Sequence, residues 1–132
     1  MKNEIINLTD KYFLALQDKY FEMYKVVNPM LSIVEVADIL MKEISIQGYM
    51  AYGIFRDNII KGVIAGYPIN NSFFVSVVVC DAVYTKELFA KVEYNLKTLG
   101  YKSWTTQAKA HIKSLAPKLG ANIDTIIYTK EI

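Results

Sequence analysis

The chain has 132 residues, enough for about one domain. With 53% hydrophobic and 21% charged residues it can build a packed core, which excludes intrinsic disorder, and a net charge of +2 gives no general attraction to nucleic acid or to an anionic membrane. The charged start predicts no signal peptide, no apolar run approaches the roughly 18 residues of a membrane span, and the single cysteine, Cys80, excludes an internal disulfide and fits a reducing, cytoplasmic setting.

A short strand fits "NEIINL" at the start. Thr9 is placed to cap a first helix, in which Phe13, Leu16, Tyr20, Tyr24 and Val27 recur at helical spacing until Asn28-Pro29 stops it. Ser32 and Glu35 form a capping box, each able to satisfy a free N–H at the start of a second helix. Its apolar stripe reads Ile33, Ala37, Leu40, Met41 and Ile44, and Gly48 is placed to end it.

The period then changes. "YMAYGIFRD" and "IIKGVIAGY" read as strands joined by a tight turn at Asp57-Asn58, residues that tolerate positive φ. Pro68 is expected to end the second strand, and Asn70-Asn71 makes the next turn. "SFFVSVVVC" is apolar on both alternating faces, as a strand covered on both sides should be. Thr85 is a plausible cap for a third helix carrying Leu88, Val92, Leu96 and Leu99, closed by Gly100. "YKSWTTQA" reads as a strand, "AHIKSLA" as a short helix that Pro117 bends or ends, and "NIDTIIYTK" as a last strand. The fold class expected is α/β (α+β): one domain over residues 1–132, a mixed, mostly antiparallel sheet of about five to six strands with four helices on its faces. Val75, Val77, Val79, Leu88, Val92 and Leu96 are expected in the core.

This element order, with the closing "HIKSLAPKLGANIDTIIYTKE" and its Leu119-Gly120 turn, resembles the GNAT family of N-acetyltransferases over nearly the whole chain. Small GNAT-like proteins of bacteriophages, internal virion proteins among them, are similar, which implies a host cytoplasm or virion location. The resemblance implies an acyl-CoA site at an Arg/Gln-x-x-Gly-x-Gly/Ala loop between the fourth strand and its helix. Glycines there let backbone N–H groups close on the diphosphate. Residues 81–87 read Asp-Ala-Val-Tyr-Thr-Lys-Glu, with no glycine. Val83 is β-branched, Asp81 and Glu87 add negative charge, and only Lys86 and the Thr85 hydroxyl favour an anion. The family's Asn and Tyr on the short helix fall on Lys109 and Ala116. Twelve residues follow Gly120, which predicts one strand rather than the family's closing hairpin.

Other chemistry is sparse. Cys80 ends the central strand, where the resemblance places the acyl group, and Asp81 beside it is a candidate base; a small core residue is the competing reading of Cys80. Val79, Thr85 and Lys86 are the candidate cofactor contacts if acyl-CoA binds. His111 is the only histidine, with no nearby carboxylate in sequence to orient it, and reads as a helix residue; with one histidine and one cysteine there is no metal set. Lys97, Lys102, Lys109, Lys113 and Lys118 occupy residues 94–123 without a carboxylate, a solvated face or a non-specific phosphate attraction. Arg56 is the only arginine, so specific nucleic-acid binding is not expected.

Two functions compete. In the first, the missing glycines, Asn, Tyr and closing strand mark a non-catalytic GNAT-like protein with no cofactor. It would act through protein–protein contacts as a phage accessory or virion-associated protein, with a partner or a second copy covering a sheet edge at residues 123–130. In the second, it is an enzyme, an acyl-CoA-dependent N-acetyltransferase using acetyl-CoA at an atypical site.

Overall fold

The computed structural model describes residues 3–8, 10–27, 29–107, 122–124 and 127–132. The expected cap at Thr9, the short helix with Lys109, His111, Lys113, Ala116 and Pro117, and the Leu119-Gly120 turn with Lys118 lie outside the described residues.

The fold class is the one expected. Seven strands form one sheet in the order β1-β2-β3-β4-β5-β7-β6, antiparallel throughout except for the β4–β5 pair. In chain order these are β1 (Glu4–Asn7), α1 (Phe13–Val27), α2 (Ile33–Ile44), β2 (Met50–Arg56), β3 (Ile59–Ile69), β4 (Ser72–Cys80), α3 (Thr85–Thr98), β5 (Ser103–Gln107), β6 (Asn122–Asp124) and β7 (Ile127–Glu131).

Local chemistry sets the joints. Ser32 accepts the Glu35 N–H and Glu35 accepts the Ser32 N–H, the full capping box. Asp57 and Asn58 sit at φ 54° and 64°, a left-handed pair whose twist matches the β2–β3 hairpin. Asn70, at φ 56°, turns β3 into β4. Pro68 does not end β3: it pairs in register with Phe73, and the strand runs on to Ile69. So close to the hairpin, proline costs the ladder one donor at most.

The closing segment also differs from expectation. It forms two strands, because a three-residue β6 and a five-residue β7 fit where one long strand was read. β7 lies between β5 and β6 and is paired on both sides. The open edge expected at residues 123–130, the reason for inferring a partner there, therefore falls only on short β6. Among the described residues, no helix is long and apolar enough to cross a membrane.

Each face of the sheet has its own core. Against α3 pack Tyr52, Ile54, Ile64, Phe73, Val75, Val78, Leu88, Phe89, Val92, Leu96 and Trp104. Against α1 and α2 pack Leu8, Leu16, Tyr20, Met23, Val36, Leu40, Ala51, Val63, Ala65 and Val77. Five of the six expected core positions are fully buried; Val79 is half-buried against the α1/α2 core.

The helix faces were read less well. α2 buries Val36, Leu40 and Glu43, spaced i, i+4 and i+7, and leaves Ile33 and Met41 about half exposed, at 48% and 54%. Leu99 is likewise exposed at the end of α3.

One irregularity positions the site. Ala65 pairs with Val77 and Gly66 with Val75, so Ser76 is an extra residue bulged out of β4. The bulge puts neighbours Ser76 and Val77 on the same, α1/α2, face, while Val75 and Val78 face α3. Gly66 opposite it lies against the Phe74 carbonyl with no room for a Cβ.

Candidate functional site

β4 and β5 run parallel and pair only at their start, Phe73 with Trp104 and Phe74 with Thr105. Thr106 then spends its hydroxyl on the Val75 carbonyl at 2.7 Å. Among the described residues the β4–β5 pairing stops at Phe74–Thr105, while β4 runs on to Cys80. The crevice beyond the carboxyl ends of parted parallel strands is where open α/β sheets bind ligands.

The end of β4 leads directly into α3. Asp81 continues the ladder by donating to the Lys61 carbonyl at 2.9 Å, and Ala82–Tyr84 make one 3-10 turn before α3 begins. Thr85 is not the cap expected. The preceding turn makes Tyr84 the residue before the helix, and Thr85 is buried with its hydroxyl donated back to the Asp81 carbonyl at 3.3 Å. That contact turns the hydroxyl away from solvent.

The amides of Ala82 and Val83 open the turn, on exposed residues, and take no backbone partner among the described residues. Val83 is 81% exposed and aims its side chain outward. No residue of the junction has a positive φ. Asp81 is exposed and caps nothing with its side chain. Glu87 accepts from Asn3 Nδ2 at 2.8 Å, and the Asn3 Oδ1 accepts from Arg56 at 3.2 Å, so Asn3 bridges the two side chains. Lys86 is exposed beside them. Two amides without a backbone partner among the described residues, on exposed residues, and an exposed lysine at a helix start are of the kind that suits an anionic group.

Cys80 is half-buried on the α3 face, and a Cβ on Gly62 would strike its side chain. Burial raises its thiol above the ordinary value against a weaker lowering by the Thr85 hydroxyl, which disfavours the thiolate a nucleophile needs. Val79 lies one residue before it, paired with Val63 of β3. No group of three or more His, Cys, Asp or Glu suited to a metal occurs among the described residues.

On the other face of β4 lies a buried polar cluster that the sequence reading missed. Glu43, 8% exposed, accepts from Tyr20 at 2.7 Å and from the bulged Ser76 at 2.6 Å, both through Oε1. The hydroxyls of Tyr20 and Tyr49 are 2.9 Å apart. Burial first, then charged neighbours that include Glu43, raises Tyr20, and burial raises Tyr49 in the same direction; Tyr24 is pushed up to about 12 by burial and then by Glu43. Tyr67 is raised for the same two reasons. The signal available was spacing: Glu43 continues the stripe of Val36 and Leu40, but a glutamate in a helix reads as solvent-facing.

No family model matches the sequence, and a search of curated proteins finds no match. Solved structures do match. PaiA N-acetyltransferase of Thermoplasma acidophilum, in complex with coenzyme A, superposes with a TM-score of 0.72 over 100% of both chains at 18% identity. A GNAT-family acetyltransferase of Staphylococcus aureus gives 0.75 over 98% of this chain and 99% of that one, at 15% identity. Gcn5 of Tetrahymena gives 0.74 over 100% and 96%, at 12% identity. The chain has the GNAT fold.

Two expectations are corrected here. The non-catalytic reading, a protein working only through protein contacts, is overturned because the full-length structural matches are acetyltransferases. The expectation of no cofactor falls with it, since one of them holds coenzyme A. Residues 81–84 adopt ordinary backbone angles, and the side chain of Val83 points to solvent.

Proposed function

We propose that the protein is an acyl-CoA-dependent N-acetyltransferase with an atypical CoA site, residues 1–132 acting as one domain. The observation that carries this reading is the end of the described β4–β5 pairing at Phe74–Thr105, with α3 starting just beyond the carboxyl end of β4.

Acetyl-CoA supplies the activated acyl group as a thioester. The backbone of residues 76–80 offers its β5-facing amides and carbonyls to an extended cofactor arm, with Val79 alongside. The Ala82 and Val83 amides and Lys86 take the diphosphate. Cys80 lines the opening as a half-buried wall, and Thr85 holds the turn. Asp81, exposed at the mouth, is left as the candidate for a proton from the acceptor or for its orientation. The lysines of residues 94–123 serve as a solvated face.

Isothermal titration with acetyl-CoA at physiological salt tests the reading. Saturable micromolar binding, weakened by Lys86→Ala, is expected. Binding no tighter than millimolar, or binding lost between low and physiological salt, would sink it.

A further inference from the structure

α2 and α3 each carry a glutamate at the third helical position, and the two are used differently. In α2 it is Glu35, counted from the cap at Ser32, and its carboxylate folds back onto the Ser32 N–H at 3.1 Å. In α3 it is Glu87, counted from Tyr84. The Tyr84 N–H is already taken by the Asp81 carbonyl at 3.0 Å, so Glu87 has no box to close. Its Oε1 instead accepts at 2.8 Å from the amide of Asn3, 84 positions away in the chain.

Strand register supplies this partner. Glu4 pairs with Phe55 and Ile5 with Ile54, so the antiparallel ladder carries Asn3 opposite Arg56. Ile5 and Ile54 pack in the α3 core, and strand alternation puts Asn3 and Arg56 on the same side. A primary amide is the group that joins both neighbours. Its NH2 donates to the carboxylate, and its oxygen accepts from the guanidinium at 3.2 Å. An aspartate at position 3 would repel Glu87, and an alanine would release it.

Release matters because of what lies one turn back. The amides of Ala82 and Val83 have no backbone partner among the described residues, and Lys86 is exposed. A loose carboxylate at the start of a helix is drawn to such N–H groups and to lysine. Unrestrained, Glu87 is an internal competitor for an anion bound there.

We propose that Asn3 is a positioning residue for the anionic part of acetyl-CoA: it holds Glu87 against β1 and so keeps the start of α3 clear for the diphosphate. The assignment rests on the acyltransferase reading and adds the device that restrains an acid of the junction. Asn3 acts through Glu87 and touches no ligand. Its hydrogen bond to Glu87 is exposed and contributes little to stability, so affinity and stability separate in the test.

Acetyl-CoA and inorganic pyrophosphate are titrated calorimetrically at low ionic strength, where surface charges are least screened. The proteins are wild type, Asn3→Ala, Asn3→Asp, Glu87→Gln and the double variant Asn3→Ala/Glu87→Gln, each with its thermal midpoint. Asn3→Ala and Asn3→Asp should each weaken both ligands about threefold or more, the scale of one charge at a helix start, with midpoints nearly unchanged. The double variant should bind as Glu87→Gln does. Acetyl-CoA binding insensitive to Asn3, or a loss in Asn3→Ala that Glu87→Gln does not restore, would overturn the assignment alone. Pyrophosphate binding with the expected pattern but no acetyl-CoA binding would support the Asn3 restraint and sink the acyltransferase reading. Binding of neither ligand to the wild-type protein would overturn both.

Discussion

The two faces of the sheet are built on different principles. The α3 face is closed mainly with apolar side chains; the buried hydroxyls of Thr85 and Thr106 go to backbone carbonyls, and Trp104 donates to Glu93 at 2.8 Å, with Lys130 pairing with the same carboxylate. The α1/α2 face is also buried, yet it holds a carboxylate, three or more tyrosine hydroxyls within its influence and the bulged Ser76. The two faces are equally buried but differ in chemistry, one mainly apolar and one built around a hydrogen-bonded carboxylate. Buried polar groups are expensive, and a well-packed protein of this size does not need them to fold.

The contrast can be broken most forcefully on the apolar face. Trp104→Ala should destabilise the protein by about 3–5 kcal/mol, measured by urea unfolding, with the cavity and the lost partner of Glu93 both contributing. A cost comparable to that of an exposed substitution would mean that α3 does not close this core.

Alkali should attack the other face. Tyr20, Tyr24, Tyr49 and Tyr67 are all raised above 10.0 in the folded protein. Above that pH the unfolded chain loses tyrosine protons that the native state retains, so stability is full below pH 10 and falls as pH rises through the range toward 12. Tyrosinate absorbance should appear in step with unfolding rather than before it. Free titration of these residues in the native protein would contradict the buried cluster.

Glu43→Gln sharpens the contrast further. The amide oxygen still accepts from Tyr20 and Ser76, so stability should change by about 1 kcal/mol or less in urea unfolding. A much larger loss would show that the cluster depends on the carboxylate itself. The smallest effect is expected at Ser32→Ala, which removes the side-chain half of the capping box of α2 and should cost about 1 kcal/mol in thermal unfolding. No loss would show that packing alone fixes the helix that carries Glu43.

Legibility in the sequence followed the range of the determining interaction. The Asp57-Asn58 turn, the Ser32–Glu35 box and the doubly covered β4 are set by neighbours a few residues apart, and each was readable. The bulge at Ser76 was not, because it exists only in register against β3. The buried face of α2 was misjudged by one position: Met41 and Ile33 looked like core by hydrophobicity, whereas the partner that draws Glu43 inward is a tyrosine on another helix. The division of the closing segment into β6 and β7 depends on β5 accepting β7 as its neighbour. At the strand-to-helix junction the helix start was readable, but the 3-10 turn over Ala82–Tyr84 that displaces Thr85 from the cap was not. The suggested phage origin rested on composition and resemblance, and no structural feature bears on it.

Amide chemical-shift mapping with acetyl-CoA at physiological salt tests the central claim most directly. The account predicts saturable shifts concentrated from Val77 through Lys86, at the carboxyl end of β4 and in the turn that opens α3. Shifts confined to the lysine face around Lys97 and Lys102, or no saturable shifts at all, would contradict it.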